Sequence, residues 1–197
     1  MNSTNKKLEV SFAEIHKLVC KKLQALSQHL TYHDVAHTLD VVYHCERIAR
    51  EEGIENERDI YLIKVAALYH DTGFLNVYSK HEQESCEIFL SDAKEFHLTI
   101  AEKEFVNRLI MATQLPQEPA DIFEMVICDA DLDYLGRPDF FSIGDALRRE
   151  FLHYGIVSSN EAWEKLQIKF LTAHEYHTQT SQRVREAEKQ KHIAALL

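Results

Sequence analysis

The chain has 197 residues, 45% hydrophobic and 27% charged, a balance ordinary for a soluble globular protein, and the expectation is one domain spanning 1–197. A formal net charge of −10 argues against a general nucleic-acid surface, which needs clustered Lys and Arg, while leaving room for a small phosphate ligand held by a metal. The Met1–Lys7 start has no apolar signal core and no run approaches membrane-spanning length, so a cytoplasmic protein without membrane contact is expected.

Nearly every segment reads as helix. Ser11 and Glu14 form a capping box, and Ile15, Leu18, Val19, Leu23 and Leu26 follow on one face of a scaffold helix. Tyr32-His33-Asp34-Val35-Ala36-His37 leads into a second helix, from about Asp34 to Glu52, which Gly53 stops. His33 and His37 are four apart, so they point the same way if both are helical. His44 lies two turns beyond His37 on the same face and reads as a packed histidine or one supporting a ligand from behind.

A third helix begins at Asn56, is almost wholly apolar from Ile60 to Leu68, and ends in the pair His70-Asp71 before Gly73. A carboxylate and an imidazole leaving an apolar run are costly without compensation, and a divalent cation that accepts N and O donors would supply it. A simple helix C-cap is the bland alternative for a lone His-Asp pair. Adjacent helical residues diverge by roughly 100°, which puts a cation at the helix end rather than along its side.

The next helix opens at His81. Another starts with the capping box Thr99-Ile100-Ala101-Glu102 and ends near Thr113-Gln114, with His97 in the preceding loop. A helix from Pro119 and Asp121 carries Asp129, Asp131 and Asp133. Asp129 and Asp133 share a face and Asp131 points away, so helical geometry does not choose a ligand among them, and an exposed acidic helix end is the bland reading. After a break at Gly136-Arg137-Pro138-Asp139, Ser142-Ile143-Gly144-Asp145 is expected to cap a helix bearing Leu147 and Phe151. Trp163, Leu166, Phe170, His174, His177, Ser181 and Val184 then form one continuous helical face, followed by a solvated tail from Arg185 to His192. Cys20, Cys45, Cys86 and Cys128 have no Cys-x-x-Cys spacing and are expected to be reduced and mostly buried.

The order His37, then His70-Asp71 closing an apolar helix, then Asp131 resembles the HD superfamily of metal-dependent phosphohydrolases, over about residues 32–131. The resemblance implies an all-α, multi-helix domain with its metal-site core at about 30–135 and helices 142–197 packed on it. It also implies a divalent ion (Mn, Mg, Fe, Co, Ni or Zn) held by His37, His70, Asp71 and Asp131. The Tyr-His-x-x-x-His form is similar to cyclic-nucleotide phosphodiesterases, which implies His33 as the acid that protonates the leaving oxygen, although Asp34 stands where those enzymes usually carry Asn. Two-metal members carry a His where His81 stands and another where Thr113 or Gln114 stands here, so one metal is expected. The acidic pair that follows the doublet in stringent-response hydrolases is absent.

The expectation is therefore a phosphohydrolase acting on a small phosphorylated substrate, a nucleotide monoester or cyclic diester, with Asp71 both a ligand and an aid to the attacking water. His81, Arg137, His174 and His177 are candidates for substrate contact or for support of the ligands. A non-catalytic metal- or nucleotide-binding sensor and an HD-type di-iron oxygenase are the alternatives. The sequence leaves the oligomeric state open, with a homodimer among the options.

Overall fold

The computed structural model describes residues 10–197, so the Met1–Lys7 start lies outside it. Among the described residues there are nine α-helices, two short 3-10 turns and no strand. The chain is all-α, and no helix among the described residues is long and apolar enough to cross a membrane.

Local signals set most boundaries. α1 (Phe12–Leu23) starts at the reciprocal Ser11–Glu14 capping box, and α5 (Ile100–Ala112) at the equivalent Thr99–Glu102 box. α2 (Val35–Glu51) is capped by the Asp34 side chain, which accepts from His37 N. Asp34 is extended, so His33 lies outside the helix and the condition for a shared helical face with His37 is not met. Asn56 caps α3 (Glu57–Tyr69), which stops at His70.

α3 is the centre. Ile60, Leu62, Ile63, Val65, Ala66, Ala67, Leu68 and Tyr69 are all buried, because α1, α2, α4 (His81–Asp92), α5 and α6 (Ile122–Asp131) all pack against this helix. A helix apolar all round has to be enclosed in this way. Truncating Ile63, which is fully buried, to Ala would cost about 2–5 kcal/mol. The centrality of α3 gives the His70-Asp71 pair a rigid support. A 3-10 turn, Thr72–Leu75, then turns the chain into α4. A Cβ on Gly73 would lie 2.0 Å from the His81 carbonyl oxygen, so only glycine lets the start of α4 press against the doublet.

A second hydrophobic cluster joins Tyr32, Leu132, Tyr134, Leu135, Phe140, Leu171 and Tyr176. It is built from the segment after Asp131 together with α7 (Phe140–His153), α8 (Asn160–Ala173) and α9 (Gln179–Leu196). Three expectations are corrected here. α7 begins at Phe140 rather than after a Ser142–Asp145 cap, because Phe140, 1% exposed, is drawn into this cluster. The supposed continuous face from Trp163 to Val184 is two helices. Asp129 accepts hydrogen bonds from His177 N, Thr178 N and Thr178 Oγ1, which holds the chain out of helix, and Thr178 caps the restart by accepting from Ser181 N. The segment from Arg185 to His192 is not a solvated tail. Lys189 is 2% exposed and donates to the His174 carbonyl, and the buried His192 stacks on Phe140. Cys45, Cys86 and Cys128 are buried and all four cysteines are free thiols.

Candidate metal centre

Three helix termini converge at one point. His37 comes from the first turn of α2, His70 and Asp71 from the end of α3, and Asp131 from the last residue of α6. His37 Nε2 lies 3.3 Å from His70 Nε2, 3.3 Å from Asp71 Oδ2 and 3.2 Å from Asp131 Oδ1. His70 Nε2 lies 3.1 Å from Asp71 Oδ2 and 3.5 Å from Asp131 Oδ1. Donor separations of this size suit ligands around one cation at about 2.0–2.2 Å. His37, His70 and Asp131 alone already satisfy the spacing of a metal-binding group.

The chemistry of the donors fits a cation as well. Two imidazole nitrogens face each other across 3.3 Å, and Asp71 Oδ2 is buried with no hydrogen-bond partner. His70 Nδ1 donates to the Ala67 carbonyl at 2.8 Å, which leaves Nε2 pointing into the cluster. Among the described residues the ion-pair partners of both carboxylates are histidines, with no Lys or Arg. Burial opposes ionisation of Asp131, yet His37 and His70 outweigh it and hold its pKa down to about 2. Burial likewise opposes charge on His37, but Asp131 and Asp71 outweigh it and raise its pKa to about 9. The carboxylates thus demand positive charge, and without a cation they take it from imidazole protons. HD-type donors of this kind suit Mn, Fe, Co, Ni or Zn through nitrogen and Mg through oxygen.

Around the donors is a layer of which the sequence had marked only His81 and His33. Gln117 Nε2 donates to Asp131 Oδ2 at 3.3 Å, leaving Oδ1 to the histidines. Ser85 Oγ donates to the His70 carbonyl at 2.7 Å and accepts from Gly73 N at 2.8 Å, tying α4 to both sides of Asp71. His81 Nε2 is 3.3 Å from Asp71 Oδ1, the oxygen turned away from His37 and His70. Phe74 stacks against both His33, at 4.4 Å between centroids, and His81, at 3.9 Å, with the two imidazole centroids 6.2 Å apart.

The most consequential of these is Glu150, on α7. It is fully buried and takes up His33 completely: Oε1 lies 2.5 Å from His33 Nδ1 and accepts from Tyr78 OH at 3.0 Å, while Oε2 accepts from Tyr32 N at 3.0 Å and His33 N at 3.2 Å. His33 Nδ1 is therefore committed to the carboxylate, and the His33 ring centroid is 5.9 Å from that of His37. No local sequence signal marks Glu150, which sits 117 residues from His33 beside Arg148 and Arg149 in an ordinary amphipathic helix.

The remaining candidates lie elsewhere. Arg137 pairs with Asp40 at 2.6 Å and Asp139 at 2.9 Å and lines a second cavity of about 280 Å³, which His37 also lines but Asp71 and Asp131 do not. His174 sits beside Lys189 Nζ, at 3.5 Å; burial, with the Lys189 charge, depresses its pKa to about 3. His177 serves through its backbone N–H. Neither lines the cavity that Asp71, Asp131 and His33 face. Asp129 and Asp133 are not an exposed acidic end: both are 0% exposed. Asp129 holds the α8–α9 connection, and Asp133 is met by Arg47 and Arg185, each at 2.9 Å.

A family model for the HD domain matches residues 34–133, which is half of the chain and contains His37, His70, Asp71 and Asp131. The chain belongs to the HD domain family. It is thereby placed in a superfamily of metal-dependent phosphohydrolases whose domains bind divalent metals. The match begins one residue after His33, so it covers the donors but not the His33–Glu150 pair. No curated protein and no solved structure matches the chain.

Proposed function

We propose that this HD domain is an active hydrolase that cleaves a small organic phosphoester and holds one divalent cation through His37, His70, Asp71 and Asp131. The carrying observation is the convergence of these donors, 3.1–3.5 Å apart, around buried carboxylates that no Lys or Arg answers among the described residues. Such a cation, when bound, lowers the pKa of water towards neutrality and offsets charge on a phosphoryl oxygen.

The residues divide the remaining tasks. Asp71 Oδ1, beside His81, is the acceptor available to orient and deprotonate the attacking water. His33 is the proton donor. With Nδ1 held by Glu150 and His33 lining the cavity, Nε2 is the nitrogen left to carry the proton to the departing alkoxide. Glu150 is a positioning residue: it fixes the ring and selects the tautomer. The likeness to cyclic-nucleotide phosphodiesterases by itself points to nucleoside monophosphates and cyclic nucleotides as substrates, whereas the cavity walls select on other grounds.

The test is phosphate release from a panel of phosphomonoesters and from cyclic diesters, the latter by coupled dephosphorylation, with Mn, Mg, Co or Fe(II). Asp71→Ala and His33→Ala are measured in parallel. Metal-dependent turnover lost in Asp71→Ala together with bound metal, and lowered about 10²-fold or more in His33→Ala with metal retained, is the expected result. Full activity in Asp71→Ala would sink the scheme. Bound metal with no turnover of any ester would mark a sensor.

A further inference from the structure

Asp71, Asp131, His33 and His81 stand at one end of a cavity of about 510 Å³, within the range that holds small ligands. Lys80 and Ser79 also lie at this end. The other end is of a different chemistry. Phe140, Leu147 and Phe151 of α7 face Trp163, Phe170 and Leu171 of α8. The polar side chain among these walls is Gln167, whose amide approaches α7 closely: a Cβ on Gly144 would lie 2.7 Å from Gln167 Nε2.

We propose that the organic part of the substrate is a hydrophobic chain or ring, so that this HD domain acts on phosphate esters of apolar alcohols in preference to nucleotides. The inference rests on the phosphohydrolase reading and adds the class of alcohol. A nucleoside carries sugar hydroxyls and a base edge into the site, and each group that loses water there needs a partner. Ser79, Lys80, Glu82, Thr113 and Gln114 also line the cavity, but along α7 and α8 Gln167 is the one such partner beside six aromatic or aliphatic walls. An apolar alcohol needs none and gains by leaving water. Its phosphate remains at the polar end, among His33, His81 and Lys80. At about 30 Å³ for each non-hydrogen atom, 510 Å³ holds a phosphate and a chain of roughly eight to twelve carbons.

The experiment uses the Mn-loaded full chain with ethyl, butyl, hexyl and octyl phosphate, beside AMP, GMP and cyclic AMP. Along the alkyl series kcat/KM is expected to rise about tenfold for each added pair of methylenes, with octyl phosphate ahead of every nucleotide. Leu166→Gln changes a half-buried wall residue that belongs to neither hydrophobic cluster. It is expected to lower the octyl-to-ethyl ratio of kcat/KM about tenfold. Isothermal calorimetry of ethyl and octyl phosphate supplies a readout independent of turnover. A flat alkyl series, or a nucleotide turned over faster than octyl phosphate, overturns the inference and leaves the hydrolase reading standing. No cleavage of any ester overturns the hydrolase reading. Calorimetry then decides: octyl phosphate bound at least a hundredfold tighter than ethyl phosphate supports the apolar ligand class, and equal or absent binding overturns it.

Discussion

Two buried acid–histidine clusters lie on either side of Leu132. In the first, Asp131 faces His37 at 3.2 Å; in the second, Asp133 faces His44 at 3.3 Å. Both histidines come from α2, two turns apart, and both acids from the end of α6 or the turn after it. The difference is in what else arrives. Asp133 receives three guanidinium groups, from Arg47 and Arg185 at 2.9 Å and from Arg137 at 3.7 Å, and is neutralised by the protein. Asp131 and Asp71 receive only imidazoles from the described residues. A buried carboxylate with its own arginines is a structural tie. One without them is a cation site in waiting, and the contrast separates two clusters that look alike in sequence.

Substitution at each centre should therefore fail in a different way. Asp71→Ala is expected to lower metal-dependent turnover by about 10³-fold or more and to abolish metal binding, measured by steady-state kinetics and metal content. Asp133→Ala should instead keep its metal and lose stability, by about 3–5 kcal/mol in chemical denaturation, because Arg47 and Arg185 are left without their buried partner. A fully stable Asp133→Ala that had lost its metal would erase the distinction.

Metal addition sharpens the same comparison. A cation at about 100 times its Kd should stabilise the chain by about 2.7 kcal/mol, read as a rise in Tm. Asp131→Asn should abolish the rise and Asp133→Ala should preserve it. A smaller effect is expected at Glu150. Glu150→Gln, which keeps shape but not charge, should reduce kcat about tenfold with metal content unchanged. A purely structural Glu150 would move stability and leave kcat unchanged.

The smallest effect is on acid stability. Burial works against the Glu150 carboxylate, but His33 and the backbone donors of Tyr32 and His33 outweigh it and hold its pKa below the ordinary 4.5. A carboxyl with a lowered folded pKa contributes stability above its unfolded value and loses it as pH falls through the folded value. The acid limb of an unfolding curve below about pH 4.5 should accordingly be shallower in Glu150→Gln than in the parent chain.

Much of the architecture was legible. Both capping boxes, the Asp34 and Asn56 region starts, the stop at Gly53 and the wholly apolar α3 are local signals, set by hydrogen bonds three or four residues away or by periodicity within one helix. The three misread places share a cause. Phe140, the His174–Thr178 connection and Lys189 each follow a partner distant in sequence: the second hydrophobic cluster, Asp129 and the His174 carbonyl. His177 and Thr178 lie 48 and 49 residues from the Asp129 that interrupts their helix.

The sequence by itself determined that the chain is helical, that α3 is its centre, and that a His, a His-Asp pair and a later Asp recur in the order of a metal-dependent family, because helix periodicity and a motif's order are properties of the chain read along its length. The family's order assigned Asp131 to the ligand set, but only the tertiary structure gave the physical reason, because helical geometry offered Asp131 no advantage over Asp129 or Asp133 until Asp131 was set against His37 and His70 and the arginines of α2 and α9 against Asp133. It alone paired His33 with Glu150 and closed a cavity between the donors and the apolar faces of α7 and α8. Such pairings depend on the angles at which helices pack, which no local stretch of sequence specifies.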